Sequence, residues 1–360
     1  MEMIFDLAVI GAGPAGSASA ITAAKRGLRV LLLEATPYPR HKVCGEFVSA
    51  ESAEVLRYLL GNDTHTLFAA PRITTAKLHA AGETCAIPLA SPAYSIPRIT
   101  LDETLWHCAQ SNSIDCRVDR VAEITRSHAE FLIKASSTFR ARAVINATGR
   151  WSRLTTRTSK QSWIGLKAHF AGDSGDTVDL YFWKHGYCGV QAVAPGVLNA
   201  CALVRQGTAK DLTEVFARDL HLATRSRTWR QTTQLFATAP VYLGPGSPVI
   251  DGILQVGDAA GFVDPFVGDG ISLALRSGVL AGRCAGAVSP ATYATLYREA
   301  FSGIFRSTNR IRNLQPFPAF LHPWILRALS VPTIGRHLFQ QTRQSRLDVL
   351  SAPLSPTAGL

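Results

Sequence analysis

Gly11-Ala12-Gly13-Pro14-Ala15-Gly16 limits the folding of this chain more than any other segment. It follows an apolar stretch, Ile4–Ile10, that reads as a buried strand. It opens an alanine-rich stretch, Pro14–Arg26, that reads as a helix, and a second apolar run, Leu28–Leu33, comes after. That run is apolar on both faces, as strands of a parallel sheet are. The three segments make a β-α-β unit, a crossover that is right-handed almost without exception. In G-x-G-x-x-G spacing, Gly11 permits the tight turn, Gly13 lets the backbone approach a pyrophosphate, and Gly16 lets helix and strand pack closely. The helix start offers that pyrophosphate unpaired N–H groups and a partial positive charge.

Glu34 closes the second strand, where a carboxylate can bind a ribose 2′-OH and would repel a 2′-phosphate. The pocket is therefore expected to take FAD or NAD rather than NADP. Seven scattered cysteines show no C-x-x-C pair and no His/Cys metal spacing, which fits reduced thiols in a cytoplasm and no metal site. The net charge of +11 is concentrated late, in arginines between Arg298 and Arg346. Such a surface could attract a nicotinamide phosphate or a membrane face, while no nucleic-acid module signature is present. No apolar run reaches the ~20 residues that span a bilayer. The expected location is cytoplasmic, with membrane association as an alternative.

Along the rest of the chain, Ser49 is placed to cap a helix through Leu60, and Thr100 to Glu103 spells a capping box for another. Arg72–His79 and Glu83–Leu89 alternate as antiparallel strands do. Short strands are expected near Val118–Ile124, Arg142–Asn146 and Ile253–Val256. Trp163–Phe170, Thr177–Trp183, Tyr187–Val193 and Leu198–Val204 read as a second antiparallel sheet. The expected fold is α/β: a Rossmann-like nucleotide domain with a parallel sheet (1–70, 98–160 and 250–290), an inserted β-rich substrate domain (71–97 and 161–249) and C-terminal helices (291–360).

The segments distant from the glycines carry a resemblance. Val256-Gly257-Asp258-Ala259-Ala260-Gly261 with Gly268-Asp269-Gly270-Ile271, Pro97-Arg98-Ile99-Thr100-Leu101-Asp102, and Val144 to Arg150 around Ala147-Thr148-Gly149 recur in order over about residues 1–290. In these the chain resembles the FAD-dependent oxidoreductases that include geranylgeranyl reductases, aromatic-ring hydroxylases and flavin halogenases. The resemblance implies that Asp258 binds the flavin ribityl chain and that Arg98 contacts FAD. It places Gly270 and Ile271 at the N1/O2 edge of the ring, where a helix start stabilises negative charge. Val121 is a candidate for a backbone contact to adenine. An N-cap role for Asp258 and a merely exposed Arg98 are the local alternatives.

Lys42-Val43-Cys44-Gly45-Glu46-Phe47 is similar to the loop of geranylgeranyl-reductase-like proteins that lies against the isoalloxazine, which makes Cys44 and Gly45 candidates for flavin contact. His185-Gly186-Tyr187-Cys188-Gly189-Val190, with Asn199, resembles the β-platform of that group. Hydroxylases usually have Asp-Gly where Ala147-Thr148-Gly149 stands, and the Trp-x-Trp-x-Ile-Pro segment of halogenases is missing. Tyr181, Trp183 and Tyr187 are expected to be platform core for two of the three and cavity wall for the other. Cys44, His41, His185 and Asp269 are the candidate catalytic residues. The resemblance implies FAD as cofactor and NAD(P)H as a transient co-substrate, reducing a C=C bond of a small apolar prenyl or polyketide-like substrate. A monooxygenase and a non-catalytic prenyl-binding relative are the alternatives, and the chain is expected to be a monomer or dimer. Phe317, Phe320, Leu321 and Trp324 are read as a helical tail, a lid or a peripheral membrane contact.

Overall fold

The computed structural model describes residues 3–150, 163–173, 175–312, 348–351 and 353–354. The tail reading at Phe317–Trp324 lies outside these residues.

Strand β1 (Ile4–Ile10), helix α1 (Pro14–Lys25) and strand β2 (Val30–Glu34) form the expected unit, with Leu7 opposite Val30 and Ile10 opposite Leu33 in a parallel register. Asp115–Val118 extends this sheet beyond β2, and Thr138–Asn146 and Ile253–Gln255 extend it beyond β1, all in parallel. Helix α1 is almost wholly buried because its residues are small, and it packs on the long helix Gly270–Cys284. Gly278 and Gly282 of that helix allow the approach: a Cβ on them would lie 2.3 Å from the Ala15 carbonyl oxygen and 2.5 Å from that of Ser19.

The second sheet unites the two expected stretches, 71–97 and 161–249, in one structure. Arg72–Ala80 pairs in parallel with Thr177–Trp183 and so fuses the early strands to the later meander; its other pairings are antiparallel. Phe47–Val48, just after the Lys42–Phe47 loop, joins its edge.

Two further expectations are corrected. The Thr100–Glu103 box does not start its helix, which runs Arg98–Ser111 from Pro97. A carboxylate from elsewhere in the chain, Glu46, takes the Arg98 N–H at 2.8 Å, so no local hydroxyl is needed. Val118–Ile124 is not one strand but the junction of Asp115–Val118 and Glu123–Ser127. The chain turns between them because the Asp119 N–H bonds the Glu34 carbonyl and the Asp119 carboxylate accepts from the Ser136 N–H. Ser49 does cap its helix, accepting from the Ser52 N–H.

Candidate active site

A cavity of about 480 Å³ lies where the two sheets meet. Gly13, Pro14 and Ala15 of the glycine turn, the His41–Phe47 loop, Arg98, the Ala147–Arg150 turn, Asp258 and the Gly270–Ile271 helix start all line it. Segments spread over some 260 residues of sequence thus converge on one space.

The glycine turn has the shape the spacing requires. Gly11 has φ +98°, and a Cβ there would lie 2.5 Å from the Ala147 carbonyl oxygen; on Gly16 it would lie 1.7 Å from that of Gly11. Both are consumed in backbone packing and neither lines the cavity. Gly13 differs: a Cβ would meet only Lys42 Nζ at 3.6 Å and Arg98 Nη2 at 4.0 Å. An open backbone at a helix N-terminus faced by two cations is a cradle for phosphate. The cations are themselves held. Arg98 grips Asp102 through Nε and Nη2, at 2.7 and 2.8 Å, and Lys42 Nζ lies 3.4 Å from the same carboxylate. Asp102 is fully buried; burial alone would raise its pKa, but Arg98 and Lys42 hold it below the ordinary carboxylate value.

Glu34 stands beside this cradle rather than in the cavity wall. Its carboxylate accepts from the Ala12 N–H at 2.9 Å and pairs with Arg40 at 2.9 Å. Val121 packs in the apolar layer on the far face of the parallel sheet, close to the β2 end through the neighbouring Asp119–Glu34 bond. Beside the glycine turn, where a Cβ on Gly257 would lie 2.9 Å from Ala15 Cβ, Asp258 sits in a short turn with its Oδ2 3.4 Å from Arg150 Nε, and the Arg150 guanidinium stacks 4.3 Å from the Phe262 ring centre. A Cβ on Gly270 would meet no protein atom within 4 Å, so the helix start is open to a ligand.

The Cys44–Gly45 edge rests on one face of the second sheet. Lys167 lies opposite Cys201, and His169 opposite Asn199, whose side-chain amide donates to the Cys44 carbonyl at 3.1 Å. Glu46 is completely buried and in the left-handed region at φ +61°, a conformation that costs a non-glycine residue about 1–2 kcal/mol. Its carboxylate is held by Lys167, which is also fully buried, and by His169 Nε2 at 2.9 Å. Burial would raise its pKa; the hydrogen bond from His169 and the charge of Lys167 override that and leave it lowered. Further along the same face the wall is apolar, with Tyr187, Leu203, Val241, Phe236 and Phe262. A narrower recess of about 60 Å³ continues past Gly45 and Gly268 toward Leu180 and Phe266.

Of the candidate catalytic residues, Cys44 and His41 line the cavity; His185 and Asp269 do not. His185 occupies the turn between Thr177–Trp183 and Gly186–Ala194, its carbonyl bonded to the Arg205 N–H. Asp269 is buried beneath the helix start, its carbonyl taken by the Leu273 N–H. Tyr187 is cavity wall, while Tyr181 and Trp183 belong to the platform core. Sequence reading passed over Glu46, Asp102, Arg150, Lys167 and His169. The signal available was Lys167 and His169 at alternating positions in an otherwise apolar strand, since charges on a buried face need partners.

The residues fit FAD: a phosphate cradle at Gly13, a carboxylate at the β2 end, Asp258 beside the glycine turn and an open helix N-terminus at Gly270. The FAD-dependent oxidoreductase family model matches residues 6–41. The chain is 25% identical to menaquinone reductase of Mycolicibacterium smegmatis over 92% of its length and 90% of that protein. It is 28% identical to digeranylgeranylglycerophospholipid reductase 1 of Methanococcoides burtonii over 79% and 75%. It is also 27% identical to conditioned medium factor receptor 1 of Dictyostelium discoideum, of whose length it spans 63%. A geranylgeranyl bacteriochlorophyll reductase-like protein of Thermoplasma acidophilum superposes with a TM-score of 0.78 at 20% identity, covering 97% of this chain and 98% of that one. The flavin-dependent brominase Bmp2 superposes with 0.78 at 20% identity, over 94% and 93%. On these grounds the chain is read as an FAD-dependent oxidoreductase, similar in sequence to the digeranylgeranylglycerophospholipid and menaquinone reductases and in fold to a geranylgeranyl reductase-like protein.

Proposed function

We propose that this FAD-dependent oxidoreductase reduces a C=C bond of a small apolar substrate, prenyl or polyketide-like, with NAD(P)H as the electron donor. The observation that carries the reading is the change of character along one sheet face: buried charges hold the Cys44–Gly45 edge, and beyond it the wall becomes aromatic and aliphatic. Apolar walls with few polar groups suit an apolar carbon chain and exclude water from it. The reductases among the relatives point the same way.

Bound FAD supplies hydride transfer. The chain's own residues do the rest. Gly13, Lys42 and Arg98 would hold its phosphates, Gly270 and Ile271 would offer a helix N-terminus to the ring, and Cys44 and Gly45 would set how close a substrate can come. Reduction adds a hydride and a proton across the double bond and leaves NAD(P)⁺. Of His41, His185 and Asp269, the candidates able to donate a proton, His41 is the one in the cavity wall. Among the 360 residues there is no second Gly-x-Gly-x-x-Gly, so NAD(P)H is a visitor to the same cavity.

The test is anaerobic mixing of purified protein with NADH or NADPH, followed by a screen of prenyl and polyketide substrates. Loss of flavin colour without substrate or oxygen, then a product heavier by two hydrogens, is the expected result. A product that appears only with oxygen and carries an oxygen atom would replace this reading with a monooxygenase.

A further inference from the structure

A closed circuit of mostly buried charged groups runs through the cavity wall, which Lys42, Glu46 and Arg98 line. Lys42 Nζ pairs with Asp102, Asp102 grips the Arg98 side chain, and the Arg98 N–H donates to Glu46. Glu46 pairs with Lys167, whose Nζ returns to the Lys42 carbonyl at 3.3 Å. Three cations face two carboxylates around the circuit, so its excess is positive, on the side where Gly13 lies open.

Glu46 is where the circuit crosses between elements. One carboxylate oxygen takes the first N–H of the Arg98–Ser111 helix and Lys167 of the second sheet; the other takes His169. Its own N–H contacts Cys44 Sγ at 3.3 Å, and its carbonyl accepts from the Ile96 N–H. The residue is held in the left-handed region where glycine would be conformationally easier, yet glycine could not supply a carboxylate. Backbone strain of this kind persists only where the surroundings over-determine it.

We propose that Glu46 is a positioning residue that locks Lys42 and Arg98, at the phosphate end of the cavity, to the Cys44–Gly45 edge at the ring end, so that seating the phosphates and aligning the ring are one event. This rests on the flavoprotein assignment but not on the nature of the substrate. Removing the carboxylate uncouples the two ends even when the sheet and helices stay folded.

Glu46→Gln keeps the shape and removes the charge, but strands Lys167 in a buried site. Glu46→Gln with Lys167→Met removes both charges together and is the principal variant. His169→Gln, which leaves both charges, is the milder probe. In the double variant the apoprotein is expected to melt cooperatively, while FAD binds at least ~10-fold more weakly, within the usual span of coupling between sites. The visible absorbance and circular dichroism of the bound flavin are expected to change. His169→Gln is expected to move the flavin spectrum in the same direction by less. Wild-type FAD affinity and flavin spectra in the folded double variant and in His169→Gln would overturn the proposal, as would loss of folding in both. A wild-type protein that never takes up FAD would instead sink the flavoprotein assignment.

Discussion

Arg98 shows how one side chain can serve two ends. Its guanidinium faces the Gly13 cradle while holding a fully buried Asp102. Arg98→Met should therefore weaken FAD binding and also destabilise the apoprotein by roughly 3–5 kcal/mol, because it leaves a buried carboxylate short of its main partner. Urea unfolding with and without FAD separates the two effects. Glu46 and Asp102 also set a pH dependence. Both have folded-state pKa values below their ordinary ones, so the stability they contribute is present above the unfolded values, about 4, and is lost as pH falls through the folded ones. Flavin release, read by fluorescence, should set in below about pH 4. His41 is shifted in the other sense: burial first, then the charges of Lys167 and His169, lower its pKa below 6.5. If its imidazolium delivers the proton, reduction should be fastest below that lowered value and decline as pH rises through it. His41→Gln should remove that limb of the profile.

At the scale of elements, two glycines on one helix are expected to fail in different ways. Gly278→Ala pushes a methyl to 2.3 Å from the Ala15 carbonyl oxygen and should cost about 1–3 kcal/mol by forcing α1 away. Gly270→Ala meets nothing in the protein, so apoprotein stability should hold while FAD affinity falls, since the added methyl points into space that lines the cavity. Thermal melts of the two apoproteins beside FAD titrations check both. The elements also show where local reading reaches its limit. The Ser49 cap is a contact across three residues and was legible. The start of the Arg98–Ser111 helix was not, because the group that takes its first N–H lies 52 residues earlier in the chain. The same holds for the Val118–Ile124 segment, broken by a bond from Asp119 to the end of β2.

For the molecule as a whole, the cavity is lined jointly by two sheets that the chain enters and leaves repeatedly. A ligand that touches both should stabilise the whole. With FAD a hundredfold above its Kd, unfolding should cost about 2.7 kcal/mol more than for the apoprotein, and the melting point should rise with FAD concentration. A melting curve indifferent to FAD would contradict this. Among the described residues no helix is long and apolar enough to cross a membrane.

Spacing alone was enough to read the β-α-β unit and its dinucleotide site: a glycine every few residues, an apolar run, a carboxylate at a strand end. The segments around Arg98, Ala147–Gly149 and Asp258, which also line the cavity, were legible only through the family resemblance. Tertiary structure decided what surrounds them. The parallel joining of Arg72–Ala80 to Thr177–Trp183, the placement of His41 but not His185 in the cavity wall, and the circuit through Glu46, Lys167 and Asp102 depend on groups brought together from up to about 125 residues apart. A buried charge acquires its role from its partners, and no local pattern names a partner that far along the chain.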